Sequence, residues 1–190
     1  MTQLLARPTG LRADAARNRS RLLEVARDHL AATGQLPLNA IAAEAGVGIG
    51  TAYRHFPDQR ALIEALAIEG FDDMIADVRT TIAVDDPTEA LHRMIVTVHE
   101  HLCADAPLAA MLTAGAFVCS DAAAAAGDLF ADIAQLLDRA KAAGALRDDV
   151  TVDDLRRLLC GLQAATTAGP AALDAPARYA EVLIAGLRPR

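Results

Sequence analysis

The stretch Ala45-Gly46-Val47-Gly48-Ile49-Gly50-Thr51-Ala52-Tyr53-Arg54-His55-Phe56-Pro57-Asp58 decides how this chain reads. Three glycines fall within five residues, aromatic and hydrogen-bonding side chains follow, and Pro57 closes the run. Proline pushes the residue before it out of the helical region, so a helix from about Ile49 ends at His55. Upstream, Pro37 opens a short helix over Leu38 to Ala45, with Ile41 and Ala42 facing inward. Its missing N–H costs nothing at a helix start. Gly46 reads as a left-handed stop, and Val47 turns inward. Helix, glycine-bearing turn, helix is the helix-turn-helix pattern.

On the N-terminal side, Leu22, Leu23, Ala26 and Leu30 share one face of a helix expected from about Ala13 to Ala32. Arg17, Arg19, Arg21 and Arg27 lie mostly off that stripe, and Gly34 ends the helix. Residues 1–12 have no periodicity and contain Pro8 and Gly10, so a disordered arm carrying Arg7 and Arg12 is expected. On the C-terminal side everything is apolar and helical. Asp58 caps a long helix to about Ala83. Further helices are expected over Thr88 to Ala104, Leu108 to Cys119, Asp121 to Ala143, Val152 to Ala168 and Ala175 to Leu187. The breaks are Asp85-Asp86-Pro87, Asp105-Ala106-Pro107, Gly144 and Gly169-Pro170.

Composition agrees with an all-α fold of about nine helices. Hydrophobic residues make up 53% of the 190 residues and aromatics only 3%, so the apolar content is mainly aliphatic. Alanine and leucine favour helix. No apolar run is long enough to span a bilayer, and no secretory leader is legible, so a soluble, cytoplasmic protein is expected. Cys103, Cys119 and Cys160 form no paired motif and read as buried free thiols. Charge is unevenly placed. Residues 1–60 hold eight arginines against five acids, while the remainder holds ten bases against twenty acids. A basic front on an acidic body suits a polyanion partner at one end.

Together these residues carry a likeness. The chain resembles the tetracycline-repressor (TetR) family of bacterial regulators. The resemblance rests on Ile41-Ala42-x-x-Ala45-Gly46-Val47, then Gly50-Thr51-x-Tyr53-x-His55-Phe56-Pro57 and a following Leu62. It implies a three-helix DNA-binding domain over residues 13–60 and a larger effector-binding and dimerisation domain over 61–190. It also implies a homodimer whose two recognition helices enter successive major grooves of a double-stranded operator. Two positions depart from the pattern. Gly48 stands where Ser or Thr is frequent in the family, and Ile49 where Lys or Arg is frequent.

The side chains of the opening stretch suit that role. Gly48 and Gly50 allow backbone close to phosphate, next to helix N-terminal N–H groups. Thr51 can offer a hydroxyl to phosphate or a methyl to thymine, and Arg54 can grip guanine or phosphate. Tyr53 and His55 carry polar tips suited to phosphate, and Asn39 can reach the backbone from the second helix. Core packing is the expected place of Phe56 and the competing one for Tyr53.

In the body, Met74, Met94, His99, Met111, Phe117 and Phe130 are candidates to line an effector cavity, with ordinary core packing as the alternative. His92 and His99 lie seven apart and are expected to point the same way. His99 and Cys103 can converge, but two ligands do not make a metal site, and neither metal nor cofactor is expected. Leu155, Leu159, Leu162, Tyr179, Leu183 and Leu187 form stripes on the last two helices, wide enough to meet a second copy. No nucleophile elbow, phosphate loop or zinc motif appears, so catalysis is not expected. A regulator released from its operator by a small molecule, most simply a repressor, fits the whole.

Overall fold

In the computed structural model, residues 9–168 and 175–189 are described. Among them every regular element is an α-helix. The chain divides into two compact units, Met1–Leu66 and Ala67–Arg190. The division falls inside α4 (Gln59–Ile82).

The first unit holds α1 (Thr9–Thr33), α2 (Leu38–Glu44), α3 (Ile49–His55) and the start of α4. α1 begins ahead of the expected Ala13, so Thr9 to Arg12 are helical rather than part of an irregular arm. Gly10 lies in the first turn, where a helix has few internal bonds to lose. The rest of the expected arm, residues 1–8, lies outside the described residues. The core is made by Leu22, Leu23 and Ala26 of α1, Ile41 and Ala42 of α2, Ala52 of α3, and then Phe56, Leu62 and Leu66. Phe56, at 1% exposure, is among the largest buried side chains. Burying a side chain of this kind stabilises by roughly 1.5–3 kcal/mol. Gly34 (φ 68°) and Gly46 (φ 65°) take the left-handed conformation that ends α1 and α2, as expected. His29 of α1 reaches Glu44 at the end of α2, 2.9 Å away.

The second unit is arranged about α5 (Pro87–Ala104), which packs against α6 (Ala106–Ala114), α7 (Ser120–Ala142), α8 (Val152–Thr167) and α9 (Ala175–Leu187). Asp86 and Asp105 cap α5 and α6 by accepting from Thr88 N at 3.0 Å and Leu108 N at 2.8 Å. Thr151 and Asp154 form a reciprocal capping box on α8. Arg139 of α7 terminates α4 by donating to the carbonyls of Ile82, Val84 and Asp85 at 3.1, 2.8 and 3.0 Å. α6 stops at Ala114, short of the expected Cys119, because Gly115 turns left-handed at φ 68°. The apolar Ala116-Phe117-Val118 that follows does not continue it. Of the three free cysteines only Cys160 is buried, Cys103 is half-buried, and Cys119 is exposed. Gly169 and Pro170, expected to separate the last two helices, lie outside the described residues. Among the described residues no helix is long and apolar enough to cross a membrane.

Candidate nucleic-acid interface and effector cavity

The turn between α2 and α3 is held by its own backbone. Val47 N donates to Ala42 O at 2.9 Å, and Thr51 N and Ala52 N both donate to Gly48 O, at 2.8 and 3.0 Å. Gly48 (φ −58°) precedes α3 without a side-chain cap. A Cβ added at Gly48 or Gly50 would meet nothing within 4 Å, so neither glycine is required by internal packing. α3 then buries Ala52 and is anchored beyond its end by Phe56. This leaves Gly50, Tyr53 and Arg54 exposed, with Thr51 and His55 half-buried.

The seven residues expected to meet DNA lie together in this segment of the first unit. Asn39 is exposed on α2, and Tyr53 donates its hydroxyl to Asn39 Oδ1 at 3.3 Å. Tyr53 is 48% exposed, so its ring is not a core element. The ring of His55 lies 6.2 Å from that of Phe56. Two α1 arginines are engaged within the unit. Arg17 pairs with Asp14, and the guanidinium of Arg19 sits 5.5 Å from the centre of the Phe56 ring. Ile49, at 47% exposure, was not among the expected contacts. Its sequence signal was a large apolar residue between two glycines, with no periodic partner.

In the second unit, Met74, Met94 and Phe130 line an apolar cavity of about 40 Å³ together with Leu112, Leu129 and Arg156. Ligand pockets typically measure several hundred Å³, so this void holds a small molecule only if its lining moves. His99, Met111 and Phe117 are not part of that lining. Met111 is buried in α6. Phe117 stacks on Phe71 with ring centres 5.9 Å apart. His99 is buried, with Nε2 3.2 Å from Thr166 Oγ1 and 3.5 Å from Cys103 Sγ. Burial pushes its imidazole below the ordinary value near 6.5, against the opposing pull of Glu100 and a hydrogen bond involving the Leu162 backbone. The same burial raises the Cys103 thiol. His92, expected to point the same way as His99, is instead half-buried and reaches Glu181 on α9 at 2.9 Å. Among the described residues no group of three metal-ligating side chains occurs.

On the last two helices Leu155, Leu159 and Leu187 are buried within their own unit, and Leu162, Tyr179 and Leu183 are half-buried. Beside them Leu158 and Val182 stay 43% and 67% exposed, and both line a surface groove with Leu183 and Leu187.

A buried three-helix core that presents one short helix, with polar and aromatic tips outward, defines a helix-turn-helix regulator of the DNA-binding class. Residues 22–66 match the family described as bacterial regulatory proteins, tetR family, and residues 86–189 match the C-terminal domain of SbtR-like transcriptional regulators. The chain belongs to the TetR family of transcriptional regulators. It is therefore a DNA-binding regulator and not an enzyme. A TetR regulatory protein of Mycobacterium vanbaalenii is 37% identical over 94% of this chain and 99% of its own, with a TM-score of 0.46. The TetR regulator SCO0520 of Streptomyces coelicolor is 29% identical over 90% of this chain and 98% of its own, with a TM-score of 0.50. The ketosteroid transcriptional regulator of Mycobacterium tuberculosis shares the fold at a TM-score of 0.60 and 20% identity, over 90% and 95% of the two chains. No match was found among curated proteins.

Proposed function

We propose that the protein is a cytoplasmic homodimeric repressor that binds a double-stranded operator and leaves it when a small apolar molecule occupies the second unit. DNA recognition falls to residues 13–60, through Asn39, Gly48, Gly50, Thr51, Tyr53, Arg54 and His55. Effector binding and dimerisation fall to residues 61–190. The observation that carries the reading is the division of α3, whose buried side is only Ala52 while its polar tips remain outside.

The effector enters among Met74, Met94 and Phe130, where flexible thioethers can yield space. Met74 stands on α4, which begins at Gln59 directly after the Phe56-Pro57-Asp58 link. A shift of α4 is the means by which occupancy reaches the recognition helix. His99, Met111 and Phe117 shape the surrounding body and meet the effector only once the lining has moved. The second copy docks on α8 and α9, where Leu158, Val182 and Leu183 leave apolar surface beside the buried leucines.

Selection of bound sites from a random DNA pool, followed by gel shifts at fixed salt, tests the operator claim. A palindromic consensus and a dimer in light scattering at micromolar concentration are expected. Monomer at that concentration defeats the dimer. Candidate metabolites that change neither DNA affinity nor thermal stability defeat the effector claim.

A further inference from the structure

Apart from glycine, each outward side chain of α3 carries a polar group except that of its first residue. Ile49 and Tyr53 are the two large apolar or aromatic side chains of the first unit that stay about half exposed, at 47% and 48%, among the described residues. They stand four apart, so they share one face of the helix. Tyr53 has a hydroxyl, and that hydroxyl already has a partner in Asn39. Ile49 has no polar atom beyond its backbone. It is flanked by Gly48 and Gly50, at both of which an added Cβ would meet only open space. Ile49 is therefore the one side chain that this turn projects.

Single exposed apolar residues are ordinary on protein surfaces. On the DNA-binding reading proposed above, on which this inference rests, this one sits at the start of the helix that meets the operator. An isoleucine there gains nothing from a phosphate oxygen and offers nothing to a base amide. The apolar feature that base edges display in the major groove is the 5-methyl group of thymine. We propose that Ile49 is a specificity-determining residue that reads thymine in operator DNA through that methyl group, in contact with apolar surface that is otherwise left in water.

The test uses the full chain and an operator selected from a random pool. Each thymine is replaced in turn by deoxyuridine, which removes the methyl and leaves every hydrogen-bonding group in place. At one or more positions the replacement weakens binding by about 3- to 5-fold, the scale of one methyl removed from water. The loss disappears in Ile49→Ala. It also disappears in Ile49→Lys, which in addition steepens the salt dependence by about one phosphate contact. Both variants melt at the wild-type temperature because the side chain is exposed. No uracil penalty at any thymine overturns the inference. So does a penalty that survives in Ile49→Ala and vanishes instead in Thr51→Ala, since the methyl is then read by Thr51.

Discussion

Of the seven residues of α3 only Ala52 is buried, whereas α5 buries seven of its eighteen. α5 is held by its own side chains, with Leu91, Met94, Ile95 and Leu102 set into neighbours on several sides. α3 is held mostly from outside itself, by the Gly46 turn before it and Phe56 after it. A short helix secured at its ends keeps its outward residues free to change without loss of fold. A helix secured along its length has few such positions. Residues free to serve a partner therefore belong on the first kind and scaffolding on the second.

The contrast breaks first at Phe56. Phe56→Ala, one residue past α3, is expected to cost about 3–5 kcal/mol in chemical denaturation and to abolish DNA binding with it. A loss below 1 kcal/mol shows that α3 is not anchored there. Arg54→Ala is the opposite case. Operator affinity is expected to fall about 10-fold at constant salt, while the melting temperature holds. Unchanged affinity in a gel shift removes Arg54 from the interface. In the second unit, Asp105→Ala takes away the α6 cap and is expected to cost about 1 kcal/mol by urea midpoint. Gly70→Ala approaches the same cap from α4, because its Cβ would collide with the Asp105 carboxylate. Its failure to destabilise means that the carboxylate swings aside at no cost.

The smallest effect is one of pH. The folded pKa of His99 lies below its unfolded value near 6.5. The unfolded chain thus binds the proton first, and stability is complete above that value and declines as pH falls below it. The slope is at most that of one proton. His99→Gln flattens the unfolding midpoint between pH 5 and 7, and a wild-type midpoint that is already flat there contradicts the burial.

Turns were the most legible part of this sequence, because Gly34, Gly46 and Gly144 take the left-handed region and glycine is the residue that occupies it cheaply. Gly115 does the same, yet its stop was hidden by the apolar residues on either side. The α3 segment was legible because a proline, a capping aspartate and a polar run leave little choice of helix ends. The cavity was harder to read. Met94 and His99 both belong to the buried set of α5, but periodicity reports only that a face is buried and not which part of it borders a void. His92 and His99 share that limit. Their spacing places them on one face, while the neighbours that separate them, Glu181 and Thr166, come from helices far along the chain.

The hydrogen bond from Tyr53 to Asn39 has a consequence in entropy. Each of these side chains would lose rotamer freedom on meeting a partner, at a cost of roughly 0.5–1.5 kcal/mol apiece. By holding each other across fourteen residues of sequence they meet part of that cost during folding. The bond also sets polarity. With its proton given to Asn39, the Tyr53 oxygen keeps its capacity to accept, while the Asn39 amide keeps its own N–H donors. The tyrosine is thereby preset to meet a donor group and the asparagine an acceptor.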